Sequence, residues 1–252
     1  PTYGRLGMVV SPEKLAAEIG LDLLRQGGNA IDAAVATGFA LAVTLPRAGN
    51  LGGGGFMLVH LAETDEQIFI DYRETAPAAA TRDMFLNADG TVNRAKAYFS
   101  RQAAVVPGTV AGLVHAHTQY GKLPLATVIQ PAIDLAEQGF DTPLALHMSL
   151  TSRAERLVMD PEAKRIYLQG SAKAPAPGAV FKQPDLARTL QRIRDKGRDG
   201  FYQGETAALI AADMAANDGL ITTDDLAGYR APERSPVRGI FKEFEIVSVA
   251  PP

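Results

Sequence analysis

Leu15, Ile19 and Leu23 recur every four residues behind Ser11-Pro12-Glu13, a spacing that gives a helix one apolar face. Ser11 is placed to cap the first free amides, Pro12 suits a first turn, and Glu13 faces the positive end of the dipole. Gly27-Gly28 then permits a left-handed close. From Ala30 to about Thr44 the chain is apolar on nearly every side, which predicts a helix sandwiched between other elements. Residues 56–61 and 67–72 read as two strands joined by the polar segment 62–66, a hairpin. Further helices are predicted over residues 81–86, 108–120, 125–138 (interrupted at Pro131), 143–157, 184–196 and 205–217, with a short one opening at Thr223-Asp224-Asp225. Residues 237–249 alternate well enough for a second hairpin about Lys242-Glu243. Residues 170–178, rich in Pro, Ala and Gly, form the best internal loop. Strands near both ends with helices between them read as one interwoven domain over residues 1–252.

Charge and composition narrow the function classes. The 252 residues carry 25 Lys plus Arg against 28 Asp plus Glu, a formal net charge of −3. With no basic tract, nucleic acid is not the expected main partner, and no polybasic anchor for an anionic membrane is present. Cysteine is absent, which excludes a disulfide framework, a thiolate zinc site and a cysteine nucleophile. The most lipid-like stretch, residues 30–45, carries Asp32 and stops at Pro46. At ~1.5 Å per residue it reaches roughly 24 Å against a bilayer core of ~30 Å, so no membrane span is expected. Residues 1–10 lack a charged segment followed by an apolar run, so no signal peptide is read there; a cleaved mature form would look the same.

The run Gly49-Asn50-Leu51-Gly52-Gly53-Gly54-Gly55 is the local anomaly. It does not fit a phosphate loop: no Lys-Ser/Thr follows, the dinucleotide spacing is absent, and a strand comes next. Such a run implies positive φ or a close meeting of backbones; a tight bend against another segment and direct amide contact with substrate are both open. His115 and His117 lie two apart on a predicted helix and cannot jointly bind a metal; structural or surface roles are expected for them and for His60 and His147. Asp32, within the apolar helix, is the carboxylate expected to be buried; capping at the Gly28-Asn29 helix start is favoured over acid–base work. Arg73 follows an apolar strand and precedes Glu74. A guanidinium held there can face a cleft and grip a carboxylate, or simply pair with Glu74. No serine elbow and no H-E-x-x-H is present, so this chain shows no catalytic nucleophile.

Gly27-Gly28-Asn29-Ala30-Ile31-Asp32-Ala33-Ala34-Val35-Ala36 and the glycine run through Phe56-Met57 together resemble the large subunit of bacterial gamma-glutamyltranspeptidase. The likeness continues through Asp71-Tyr72-Arg73-Glu74-Thr75-Ala76-Pro77, Thr81-Arg82-Asp83-Met84-Phe85 and Val106-Pro107-Gly108-Thr109-Val110-Ala111-Gly112. It then runs through Gln130-Pro131-Ala132, Gly219-Leu220-Ile221-Thr222, Asp224-Asp225-Leu226 and the closing Ala250-Pro251-Pro252. The resemblance implies a mixed α/β fold, the αββα sandwich of the N-terminal nucleophile hydrolases, completed by a small subunit cut from the same precursor. It implies that the nucleophile is that subunit's N-terminal Thr, so no catalytic residue is expected in this chain, nor any cofactor or metal. It carries over one functional residue, Arg73, as the group that grips the α-carboxylate of a γ-glutamyl donor such as glutathione. The subunit's C-terminal tail is expected to be absent here, and the periplasm or secretion is the expected location. Asp32 and the glycine run keep structural readings. Glutaryl-type cephalosporin acylases and poly-γ-glutamate-processing relatives share these motifs and stand as alternatives. A non-catalytic binding protein that retains the fold is the rival of another class.

Overall fold

The computed structural model describes residues 4–251; the first three residues of the segment read for a leader and Pro252 of the closing motif lie outside the described residues. Of the described residues, 47% are helical and 14% strand, the mixed content the patterning predicts. Two compact units form, Pro1–Asn50 with Gly121–Asp195, and Leu51–Tyr120 with Lys196–Pro252, so each draws on both halves of the chain.

In the first unit, α1 (Lys14–Arg25) starts later than expected. Glu13 is the N-cap and its side chain accepts from the Ala16 amide, at 3.0 Å. Ser11 instead accepts from the Glu13 amide, so the cap shifts to the acid that reaches the free N–H groups. Gly27 closes this helix with φ +88°. Helix α2 (Ala30–Thr44) has the predicted bounds, and Val35, Ala36, Phe39, Ala40 and Val43 are fully buried. It packs against α1 and against the helix Leu125–Gln138, which accounts for an apolar surface on every side. At the α1 crossing a Cβ on Gly20 would lie 2.3 Å from the Thr37 hydroxyl, and that hydroxyl donates to the Ala16 carbonyl. The helix Leu125–Gln138 runs through Pro131 rather than breaking there. The helix predicted over residues 143–157 divides into Leu144–Thr151 and Ala154–Leu157, because Arg153, at φ −118° and ψ 0°, leaves helical geometry.

In the second unit, β1 (Gly55–Leu61) and β2 (Glu66–Tyr72) form the expected antiparallel hairpin, with Gly55 opposite Tyr72 and Leu61 opposite Glu66. The short strand Glu233–Arg234 pairs with the other edge of β2, making β2 central. That position buries Ile68, Phe69, Ile70 and Asp71 in a row, and the helix Thr109–Tyr120 packs against the same strand. Residues 81–86 are not a helix, contrary to expectation. The turn at Asn87 to Gly90, where Gly90 takes φ +82°, returns the chain so that Leu86 bridges Val92 and the Asn93 amide donates to the Phe85 carbonyl. The turn chemistry outweighs weak helical periodicity there. The terminal hairpin forms as predicted, Val237–Phe241 with Phe244–Ser248, turning at Lys242 with φ +55°. It leaves Ile240 84% and Phe241 64% exposed.

Candidate substrate-anchoring site at the end of strand β2

The regular ladder between β1 and β2 ends at the Gly55–Tyr72 pair, and Arg73 is the first residue beyond it. Its backbone does not drift free. The Arg73 amide donates to Asp71 Oδ1, at 3.1 Å, and the Arg73 carbonyl accepts from the Tyr229 hydroxyl, at 2.8 Å. An aspartate accepting from the amide two residues on is a local turn device. Asp71 spends its other oxygen on Arg234 Nη1, at 2.6 Å, while its own amide donates to the Pro232 carbonyl. The Arg234 guanidinium also lies over the Phe69 ring, 5.6 Å from its centroid.

Four glycines make room for this strand end. A Cβ on Gly54 would lie 2.4 Å from the Tyr72 carbonyl, and one on Gly108 1.9 Å from the same oxygen. On Gly55 and Gly112 it would strike the Tyr72 ring, at 2.9 and 2.2 Å. The Gly53 carbonyl accepts from the amides of Gly108 and Thr109, at 2.8 and 3.0 Å, supplying acceptors for free donors at a helix start. No glycine of the run takes positive φ; close backbone approach is what that sequence serves. At its other end, Gly49 sits against the Leu41 carbonyl.

The Arg73 side chain is 55% exposed and Nη1 pairs with Glu74 Oε2 at 3.0 Å, the Glu74 side chain being only 18% exposed. The neighbour pair allowed by the bare sequence is therefore present. It occupies one edge of a group with five N–H donors and leaves the rest open to an incoming carboxylate. Downstream, Thr75 bridges Val106, and an open depression of about 560 Å³ lies among residues including Thr75, Ala78, Thr222, Asp225 and Tyr229. Arg73 does not line it. Asp225 there holds the Ala78 amide, at 2.8 Å, and forms a capping box with Thr222, so its carboxylate has structural work.

The other candidates fall into place singly. Asp32 is fully buried, forms the capping box with Asn29, and accepts from the Lys122 and Leu123 amides at 3.0–3.3 Å. His115 meets Glu233 at 2.8 Å, His147 the Pro175 carbonyl at 2.8 Å, and His60 the Gln67 side-chain Nε2 at 3.0 Å. His117 is buried in its helix. The described residues contain no group of His, Asp or Glu placed to hold a metal. Reasoning from sequence missed Asp71, Tyr229 and Arg234. Asp71 left a local signal, an acid two residues before Arg73 on a strand end; the other two left none, since Tyr229 reaches Arg73 across 156 residues and Arg234 reaches Asp71 across 163.

Solved structures share this architecture. The crystal structure of Helicobacter pylori gamma-glutamyltranspeptidase superposes with a TM-score of 0.97 at 43% identity, covering 100% of this chain and 72% of that one. The fold is thus that of the N-terminal nucleophile hydrolases, as the resemblance implied. A gamma-glutamyltranspeptidase family model matches residues 16–252, and the chain belongs to that family. It is 43% identical over 252 residues to a glutathione hydrolase proenzyme of Escherichia coli strain K12, and 39% identical to an Acylase ACY 1 proenzyme of Pseudomonas sp. strain SE83 over 258 aligned positions. It spans all of its own length in both alignments but only 43% and 46% of theirs.

Proposed function

We propose that this chain is the large-subunit portion of a γ-glutamyl transferase and hydrolase acting on glutathione and related γ-glutamyl amides, with Arg73 holding the α-carboxylate of the donor. The observation that carries the reading is the state of Arg73: backbone fixed at both its amide and its carbonyl, guanidinium half-exposed and engaged on one edge only. At an effective dielectric near 20, a charge pair ~4 Å apart gains about 4 kcal/mol before desolvation. A two-pronged contact also fixes direction, holding the γ-carbonyl at a set place relative to a nucleophile.

The nucleophile in this reading is the N-terminal Thr of a small subunit from the same precursor. Its free amine takes the hydroxyl proton as the oxygen attacks the γ-carbonyl carbon; the amide C–N bond breaks and the leaving amine takes a proton. The resulting acyl-enzyme ester passes to water or to an acceptor amine, which restores the hydroxyl. Relatives named as proenzymes support a processed partner chain. So does the terminal hairpin, whose Ile240, Phe241 and Phe244 stand exposed on a two-stranded element of a kind that is marginal without cover. Export to the periplasm or beyond completes the reading and rests on the family resemblance.

The test is Arg73→Lys in the full-length, processed protein. Lys keeps the charge and loses the fork, so KM for a γ-glutamyl anilide should rise steeply; truncating one partner of a desolvated pair costs roughly 2–5 kcal/mol. Unchanged donor kinetics would remove Arg73 from the site. The 39% identity to an acylase favours one second reading: faster turnover of a glutaryl amide than of glutathione would make the protein an acylase. A single uncut polypeptide without amidase activity would make it a binding protein.

A further inference from the structure

We propose that Tyr229 and the Asp71–Arg234 pair are positioning residues for Arg73, converging from distant parts of the chain on its carbonyl and its amide to set where the guanidinium can point. The proposal rests on the reading of Arg73 as the donor anchor and deepens it.

Arg73 lies between the last ladder pair and the isolated Thr75–Val106 bridge, with no ladder hydrogen bond of its own, and an arginine side chain carries large rotamer freedom. A half-exposed guanidinium on a mobile backbone would bind a carboxylate only after losing that freedom. The strand end is instead held by two independent braces. In the first, Asp71 uses one oxygen for the Arg73 amide and the other for Arg234. The Arg234 fork is kept in place by the Phe69 ring and by pairing of its strand with β2. In the second, Tyr229 donates its hydroxyl to the Arg73 carbonyl while its ring stacks on Tyr202, centroids 5.7 Å apart and planes within 8°.

Tyr202 is itself fixed. It is fully buried, its hydroxyl donates to the Pro107 carbonyl at 2.7 Å and accepts from the Ala111 amide at 3.2 Å. Arg198 lies over its ring and donates to the Tyr229 carbonyl at 2.6 Å. Room for the second brace depends on Gly108, where a Cβ would lie 2.3 Å from the Tyr229 hydroxyl. Burial, then the negative charges of Asp71 and Glu74, push the Tyr229 phenol above its ordinary range, so it remains a protonated donor. None of these side chains needs to touch substrate: each acts on Arg73 through its backbone.

The test is a double-mutant cycle in the full-length, processed protein with a γ-glutamyl anilide as donor. Tyr229→Phe keeps the stacked ring and deletes one neutral hydrogen bond, so KM should rise about five-fold with kcat within about two-fold. In an Arg73→Ala background the same substitution should add nothing, since there is no guanidinium left to aim. Additive effects, or an unchanged KM in Tyr229→Phe while Arg73→Ala raises it, would overturn the positioning role. An unchanged KM in Arg73→Ala alone would instead overturn the anchor reading, and so separates the two failures. Should Tyr229→Phe fail to fold, Arg234→Gln enters the same cycle with the same outcomes.

Discussion

The carboxylate of Asp32, in the first turn of α2, is fully buried and accepts from the amides of Asn29, Lys122 and Leu123. The guanidinium of Arg73, just past the end of β2, is 55% exposed and has Glu74 as its side-chain partner. Both are charged groups placed where the chain leaves regular structure, and both lie within the residues 16–252 that the family model matches. The difference lies in what each has left to give. A charge taken out of water must have its hydrogen-bonding capacity filled, and Asp32 is filled by backbone donors from two segments. A group that binds a ligand must hold capacity in reserve on a fixed frame, and in Arg73 the restraint falls on the backbone while most N–H donors stay open. With Arg73 read as the proposed anchor, spare capacity on a fixed frame, rather than charge or burial alone, separates a binding residue from a structural one.

The sharpest way to break that comparison is Asp32→Ala. It orphans the Asn29, Lys122 and Leu123 amides together, and buried donors left unsatisfied cost about 1–3 kcal/mol each where water cannot replace the acceptor. With partial rehydration the expected loss is on the order of 3 kcal/mol, a fall in Tm of roughly 6–12 °C for a protein of this size. Surviving folded protein should keep the donor KM that the proposed activity gives it. A changed KM at unchanged Tm would put Asp32 on the functional side and undo the distinction.

A smaller effect comes from an intermediate case, the cluster of His115, Tyr120 and Glu233. Glu233 accepts from Tyr120, at 2.7 Å, and meets His115 at 2.8 Å; it is partly exposed and has some reserve. The Tyr120 hydrogen bond, with His115, holds the Glu233 carboxyl below its ordinary range. A depressed carboxyl pKa adds stability above the unfolded value near ~4.3 and loses it as pH falls through the folded one. Burial first, then Glu233, pushes Tyr120 up to about 12; that contribution is present below pH ~10 and is lost as pH rises toward the folded value. Glu233→Gln should therefore flatten Tm against pH at both the acid and the alkaline limb. Because the His115 and Glu233 side chains are only partly buried and stay screened by solvent, the amplitude should stay below about 1 kcal/mol. Limbs that match the parent protein would show the cluster to be electrostatically idle.

What the sequence made legible follows the range of the interactions. The bounds of α2 could be read because fifteen residues share one composition and Asn29 and Asp32 cap from within the first turn. The β1–β2 hairpin could be read because alternation, length and a polar turn agree. Residues 81–86 carry a helical pattern but form no helix, because the decisive signal, the turn at Asn87 to Gly90, lies outside them. The glycine run left positive φ and close approach both open and could not say what approached; the Tyr72 carbonyl and ring are the answer for Gly54 and Gly55. Arg73 could be singled out from its place at a strand end, and the role proposed for it came from family likeness. Tyr229 and Arg234 were invisible, since no local pattern records a hydrogen bond closing 156 residues or an ion pair closing 163.

The smallest expected effect is also the most discriminating. Arg73→Lys, measured by thermal unfolding rather than by kinetics, should leave stability within about 0.5 kcal/mol. Lys retains a cation for Glu74, the side chain it replaces is mostly in water, and the two braces act on the residue 73 backbone, which the substitution does not alter. Exposed ion pairs of this kind contribute only about 0–1 kcal/mol. A steep rise in donor KM with an unmoved Tm is the signature of a group held in reserve for a ligand. A Tm that falls as far as in Asp32→Ala would mean that the Arg73–Glu74 pair is structural, that its capacity is already committed, and that the two charged residues belong to one class.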